Sequence, residues 1–219
     1  MSTASVLIMP HEVARAEPIV FVGERLWLDF VNSDDARRSR KSHHVDALDS
    51  FDGFVNWLSS ARLLDDERAA AMVRRAREQP TGASAALHEA RRTRNVLRAL
   101  AERGAEPADR STQVAIAEIN RVLGRSAGTR RVEARADGGF VRNFVTVGDV
   151  FAGLLIPVIE SAADALVYGE LERVRRCANP ACARVYYDGS RNGKRRWCEM
   201  ATCGNRAKAA RHRRKLKLE

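Results

Sequence analysis

The sequence has few of the features that mark a membrane protein, a secreted protein or a common enzyme. Its longest apolar stretch, residues 150–159, is broken by Gly153 and Pro157 and is about half as long as the ~20 residues that a transmembrane helix needs. The N-terminal residues lack the basic start and long apolar run of a secretory signal. We therefore expect a cytoplasmic protein without a membrane segment.

Catalytic signatures are missing as well. The chain has no glycine-rich phosphate loop, no nucleophile elbow and no histidine–carboxylate group at metal-ligand spacing. His43 and His44 are adjacent, so their side chains point in different directions, and we expect a solvated loop there rather than a metal site. Asp29 and Asn32 are candidates for an N-terminal pocket, but helix capping or hydrogen bonding in the core is the favoured interpretation. We expect no enzymatic activity.

The 219 residues, of which 45% are hydrophobic, suffice for one core and a smaller satellite. Residues 1–18 lack periodicity, which predicts a flexible N-terminus. Residues 19–171 are expected to form the main domain and residues 172–219 the satellite. The patterns predict a short strand over 18–23 and a short helix over 26–32. Next they predict a helix that is capped by Asp65 or Asp66 and ended by Pro80, and a long helix capped by Ser84. A helix over about 109–123 follows, and then a long apolar helix from Val150 to about Leu171, which Pro157 kinks or divides.

Two segments, 131–135 and 140–145, alternate in polarity around Asp137-Gly138-Gly139, which is typical of a β-hairpin. The main domain is thus predicted to be α+β and mostly helical. The arginines of the long helix that Ser84 begins are expected to form a solvated face; they are Arg91, Arg92, Arg94 and Arg98.

All four cysteines lie within residues 177–203, as Cys177-x4-Cys182 and Cys198-x4-Cys203. Two such pairs joined by a mid-length loop are typical of a tetrahedral four-cysteine zinc site. Because four thiolates saturate the ion, we expect one structural zinc per chain. The alternatives are two disulfides, which are rare in a reduced cytosol, and an iron–sulfur cluster. An apolar cap around the metal is expected from Val185, Tyr186, Tyr187 and Trp197.

The net charge of +10 is concentrated at the C-terminal end. Residues 1–170 contain 23 basic and 24 acidic residues, whereas residues 171–219 contain 15 and 4. Such an asymmetry indicates a polyanionic partner, with nucleic acid ahead of an anionic membrane surface. Residues 205–215 have high helix propensity and no apolar stripe, so this segment predicts a basic helix that binds an external partner. The alternative is a solvated basic tail that binds no partner.

The candidate nucleic-acid contacts lie in this helix and in the loop between the cysteine pairs. On a helical wheel Arg206, Ala210, Arg213 and Lys217 share one face. Arg206 could read DNA or could instead brace the finger. The full candidate set is Arg191, Lys194, Arg195, Arg196, Asn205, Arg206, Lys208, Arg211, Arg213, Arg214, Lys215 and Lys217.

The segment 196–208, which contains Cys203-Gly204-Asn205-Arg206, resembles the CGNR zinc-finger family of bacteria. The segments 177–182 and 186–188 are similar to the same family, and Leu26-Trp27-Leu28-Asp29-Phe30-Val31-Asn32 resembles the start of the ABATE domain. The resemblance implies a stress-responsive transcriptional regulator with zinc on the four cysteines and a nucleic-acid-binding C-terminal module.

We therefore expect a cytoplasmic DNA-binding regulator whose N-terminal domain senses a signal, such as a small-molecule effector, or mediates pairing. Because one finger has a small footprint, specific binding is expected to need a homodimer. An RNA- or ribosome-binding zinc protein is the alternative partner class. A third hypothesis, an N-terminal enzyme targeted by the finger, has no supporting motif.

Overall fold

The computed structural model describes residues 19–34, 46–103, 109–125, 127–134 and 140–216. The α-helices are α1 (Leu26–Val31), α2 (Phe51–Ser60), α3 (Asp66–Glu78), α4 (Pro80–Arg103), α5 (Arg110–Arg125), α6 (Ile156–Val167) and α7 (Asn205–Lys215). The strands are β1 (Gly128–Ala134), β2 (Phe140–Thr146), β3 (Val174–Arg176) and β4 (Val185–Tyr187). The predicted fold class is confirmed: a mostly helical α+β domain with a hairpin is followed by a small four-cysteine module and a basic helix.

Within these ranges no helix combines the length and the apolar character that a membrane crossing requires. His43 and His44, like the whole of the predicted flexible segment 1–18, lie outside the described residues.

The centre of the main domain is the short helix α1. Trp27, Leu28, Phe30 and Val31 are all fully buried, so this helix is apolar on nearly every side and is enclosed by its neighbours. It packs against α4, α6 and β4. The ring of Phe30 meets that of Trp57 from α2 edge to face at 5.2 Å. The sequence prediction of a core-forming short helix here is confirmed.

The roles of two prolines were only partly predicted from the sequence, although Pro80 ends α3 as expected. Helix α4 begins at Pro80 rather than after Ser84, and α6 begins at Ile156 with Pro157 in its first turn. A first-turn proline costs no hydrogen bond, because the leading N–H groups of a helix have no partner inside it. Proline therefore lies in the first turn of each of these helices. The Asp65 cap is confirmed, since its carboxylate accepts the Arg68 N–H at 2.8 Å.

Three further boundaries differ from prediction. Residues 19–23 form no strand. Helix α5 continues through Gly124 to Arg125, because a glycine in a helix lowers its stability without ending it. The predicted helix from Val150 to Leu171 is a turn, then α6, then a 3-10 helix over Glu170–Arg173 that follows Gly169 at φ 66°.

The predicted hairpin is confirmed and begins slightly earlier than expected. Strands β1 and β2 are antiparallel, with Gly128 opposite Thr146 and Ala134 opposite Phe140; residues 135–139 lie outside the described ranges. Strand β2 packs on α6. A Cβ atom at Gly153 would lie 2.3 Å from Cγ2 of Thr146, so a residue without a side chain is needed for this close approach.

The long helix α4 does not present all its arginines to solvent, so that expectation is wrong for two of them. Arg94 and Arg98 are buried. Arg94 forms a bidentate pair with Asp46 at 2.5 Å, while Arg98 binds the Val31 carbonyl and Asp34 and also reaches the Ala183 carbonyl at 3.4 Å. Both guanidinium groups thus hold loops against the helix.

Strands β3 and β4 join the C-terminal module to the main core. They pair antiparallel, with Val174 opposite Tyr187 and Arg176 opposite Val185. Since strand side chains alternate in direction, Val185 packs in the main core, whereas Tyr186 packs against the cysteines. The expected apolar cap is therefore wrong for Val185 and Tyr187, which pack on the main domain, and it gains Val22.

Candidate metal centre and nucleic-acid interface

The four cysteines converge at the end of the β3–β4 hairpin. All four are buried, and their Sγ atoms lie within 4.8 Å of one another. The Sγ atom of Cys198 is 3.8 Å from those of both Cys182 and Cys203. A tetrahedral zinc with Zn–S bonds of about 2.3 Å requires sulfur–sulfur separations of about 3.8 Å. The donor set and its spacing therefore fit a single tetrahedral ion, and no sulfur is close enough to another to form a disulfide.

The first cysteine pair is shaped by main-chain hydrogen bonds. Cys177 donates its N–H to the Arg184 carbonyl at 3.0 Å, and Cys182 donates to the Asn179 carbonyl at 2.8 Å. The side chain of Asn179 accepts the Ala181 N–H at 3.1 Å and donates to the Cys203 Sγ at 3.4 Å. One asparagine thus closes the turn and contacts a sulfur of the second pair.

The thiols affect one another because they are crowded and shielded from water. A hydrogen bond from Cys198 lowers the pKa of Cys182 to about 5. Burial raises the pKa of Cys177, and the pKa of Cys198 is raised first by its bond to Cys182 and then by burial. Such a cluster can hold several sulfurs together only when protons or a cation offset their charge.

Arg195 braces the module from within. Its side chain donates to the Trp197 carbonyl at 2.9 Å, to the Cys198 carbonyl and to Glu24. Its guanidinium also lies over the Tyr186 ring, 4.5 Å from the centroid. The Tyr186 hydroxyl in turn donates to the Arg195 carbonyl at 2.6 Å, and burial raises the pKa of that tyrosine to about 12.

The main domain binds β4 through the side chain of Asn32, which follows the last residue of α1. The Asn32 side chain donates to the Val185 carbonyl at 2.7 Å and accepts the Val185 N–H at 3.0 Å. Both residues are buried. Asp29 accepts the Gly23 N–H at 2.7 Å, and the Gly23 carbonyl accepts the Tyr187 N–H at 2.9 Å. Asp29 and Asn32 thus both form hydrogen bonds to main-chain groups inside the fold, as the favoured interpretation held.

An ion pair reinforces this contact. Arg25 binds both carboxylate oxygens of Glu170, at 2.6 and 2.7 Å, and lies 3.9 Å from the centroid of the Tyr187 ring. No sequence pattern indicated either this pair or the Asn32 contact, because the partners are about 145 and 153 positions apart. The module is therefore fixed to the main domain by several independent contacts.

A basic cleft of about 550 Å³ lies between the first cysteine pair and α7. Pro180, Trp197, Ala207 and Ala210 supply its apolar lining. Its charged lining consists of Arg196, Arg206, Arg211, Arg213 and Arg214. Among the described residues that line it, none is acidic. The cleft can therefore hold an anionic chain with planar or apolar groups.

The structure separates the candidate contact residues into groups. Lys208 is exposed on α7 but lies outside the cleft lining, and Arg191 and Lys194 are exposed in the loop before Arg196. Asn205 donates to the Ala201 carbonyl at 3.0 Å, and Arg195 is engaged internally. Lys217 and the side chain of Lys215 fall outside the described part of the chain.

Arg206 was expected either to read DNA or to brace the finger, and its position bears on this choice. Its side chain is exposed and lines the cleft. Within the described residues we find no carbonyl that accepts a hydrogen bond from it, whereas Arg195 makes the bracing contacts expected of such a residue. This arrangement favours an external ligand for Arg206.

Comparisons with known proteins agree with the two segments of the chain. The CGNR zinc-finger model matches residues 173–215. The ABATE model, described as "Putative stress-induced transcription regulator", matches residues 24–169. The comparison with curated proteins finds no match.

Proposed function

The chain belongs to the ABATE family, with a CGNR zinc finger at its C-terminal end, and we propose that it is a zinc-dependent DNA-binding transcription regulator that responds to stress. The regulator role follows the description of the family. The basic cleft between the first cysteine pair and α7 is the single observation that carries DNA binding. The proposal includes a binding role for the chain and no catalytic one, and it places the protein in the cytoplasm.

The proposed cofactor is one structural zinc ion per chain, bound by Cys177, Cys182, Cys198 and Cys203. The 3.8 Å separations between sulfurs support a single tetrahedral ion. A four-iron cluster would hold the sulfurs farther apart, because each cysteine would bind a different iron atom. With four protein sulfurs the ion has no open position for a substrate, so its role is to fix the finger.

DNA binding is proposed to occur in the basic cleft. Arginine suits this role, since its planar guanidinium forms paired hydrogen bonds to phosphate and can also stack on bases. The small side chains of Ala207 and Ala210 allow close approach, and Trp197 offers an aromatic surface beside Arg196. The absence of acidic lining among the described residues leaves the attraction unopposed.

The test compares two cationic residues of the same helix. Arg206 lines the cleft and Lys208 does not. We expect Arg206→Ala to weaken binding to duplex DNA by roughly fivefold or more, since such a contact contributes about 1–3 kcal/mol. We expect Lys208→Ala to change affinity by less than about threefold. Fluorescence anisotropy at fixed salt measures both, with zinc content and melting temperature as controls for folding.

Equal losses in the two variants would mean that α7 attracts DNA only by its overall charge, and the cleft would not be the site. Loss of zinc in Arg206→Ala would instead mean that Arg206 stabilises the finger and does not contact DNA. Structured RNA is included as a competitor at the same salt concentration. If it displaced DNA at lower concentration, the polyanion would be RNA and the regulator proposal would fail.

Sensing or pairing is the role proposed for the main domain. An apolar cavity of about 340 Å³ lies between α3, the β1–β2 hairpin and the start of α6, with Arg68 as its charged lining residue. Such a volume suits a small molecule and gives an effector a place to bind.

A further inference from the structure

Strand β1 lies at the surface of the main domain and is not covered by it. Every residue of β1 except Glu133 is exposed, and Val132 is 72% exposed in the middle of the strand. The sheet has only two strands among the described residues, so no further described strand pairs with the outer edge of β1. Uncovered edges of this kind can pair with another chain.

The pairing of β1 with β2 determines which main-chain groups point outward. Val147 donates its N–H to the Ala127 carbonyl at 2.8 Å, which continues the register of the hairpin by one pair. In an antiparallel ladder, hydrogen-bonded pairs alternate with non-bonded ones. The main-chain groups of residues 129, 131 and 133 therefore face β2, whereas those of Arg130, Val132 and Ala134 face outward.

We propose that β1 pairs antiparallel with β1 of a second copy of this chain, in the register centred on Val132, to form a continuous four-stranded sheet. A two-fold axis perpendicular to the sheet places one residue of β1 directly opposite its own copy. A centre at Arg130, Arg131 or Glu133 would place like charges opposite each other, and like charges in that position destabilise a sheet. Among these central residues, that condition leaves Val132.

The register centred on Val132 is complementary in charge. It places Arg131 of each copy opposite Glu133 of the other, in a non-bonded pair in which side chains approach most closely. Val132 then meets its own copy, and the exposed valine is covered. No described acidic side chain lies within ion-pair distance of Arg131 in the single chain, while Glu133 contacts Arg68 at 2.6 Å and keeps an exposed fraction of 31%.

The hairpin tip supports the same partner. Ala134 of one copy faces Arg130 of the other in this register, and Phe140, which is 78% exposed, lies beside Ala134 on the same face of the sheet. The small alanine leaves room for the phenylalanine ring to extend towards the second copy's arginine. A second copy therefore explains the exposure of Val132 and Phe140 and gives Arg131 an acidic partner.

The experiment exchanges charges at the two facing positions of the full chain. Wild-type protein is expected to sediment as a dimer in the micromolar range. Arg131→Glu places two glutamates opposite each other at both ends of the pairing, and Glu133→Arg does the same with arginines. Each single variant is expected to dissociate at least about tenfold more readily.

Mixing the two variants separates the proposal from misfolding. One chain then carries glutamate at both positions and the other carries arginine at both, so the mixture is expected to form a heterodimer even though each variant alone is monomeric. Val132→Pro removes an outward N–H and no bond to β2, and it should give a folded monomer. A monomeric wild type, or single variants that remain dimers, or a mixture that does not associate would overturn the proposal. The inference does not depend on DNA binding.

Discussion

Replacing Asn32 by alanine tests whether the finger and the main domain form one folding unit. The substitution removes two buried hydrogen bonds, from Asn32 to the Val185 carbonyl at 2.7 Å and from the Val185 N–H to Asn32 at 3.0 Å. Val185 is fully buried, so water does not readily replace the lost partner. Each orphaned main-chain group costs about 1–3 kcal/mol.

The free energy of unfolding should therefore fall by about 2–6 kcal/mol, a large fraction of the roughly 5–15 kcal/mol that stabilises an ordinary domain. For a chain of this size the melting temperature should drop by about 4–24 °C. The matched control is Asn192→Ala. Asn192 is exposed, and its side chain accepts the Lys194 N–H at 3.2 Å, so its removal should cost less than about 0.5 kcal/mol.

The assay follows urea unfolding at fixed free zinc with two probes. Tryptophan fluorescence in a Trp197→Phe background reports Trp27 and Trp57 in the main core, and a chromogenic chelator reports release of zinc from the finger. Because Val185 packs in the main core, both signals should change together in wild type. A loss below about 0.5 kcal/mol in Asn32→Ala, or zinc release well before core unfolding in wild type, would refute the shared core.

The other predictions concern the metal, the DNA and one buried carboxylate. Protein purified without added metal should contain one zinc per chain, and Cys198→Ser should lose it; iron, or intact disulfides, would contradict the assignment. If the cleft arginines each neutralise one phosphate, log affinity should fall against log salt with a slope of roughly −4 to −5, whereas a slope near −1 would exclude the cleft as the interface. Burial raises the pKa of Asp29 from 3.8 to about 6, so between these pH values the folded state binds a proton that the unfolded state has released. The stability of the wild type relative to Asp29→Asn should therefore fall as the pH rises from 3.8 to about 6 and then stay level. A stability difference that does not vary with pH in unfolding measurements would contradict that pKa.

Local signals predicted the elements whose causes are local. The Asp65 cap, the alternation of the β1–β2 hairpin and the apolar character of α1 were identified because each depends on residues close together in the chain. The start of α4 was placed too late because Pro80, which ends α3 as predicted, also occupies the first turn of α4. The described residues of the expected strand, 19–23, form none, and Gly23 instead donates its N–H to Asp29 of α1.

The sequence by itself determined the set of four converging cysteines and the basic character of α7. Their chemistry depends on residue type and spacing, which the chain carries wherever it folds. Only the tertiary structure decided which arginines are available to a partner: Arg195 is occupied by the finger, Arg98 by the core, and Arg206 lines the cleft. It also decided that the finger shares the main core through Asn32 and Val185. The physical reason is that burial and hydrogen bonding depend on contacts between distant residues, which no periodicity within either segment encodes.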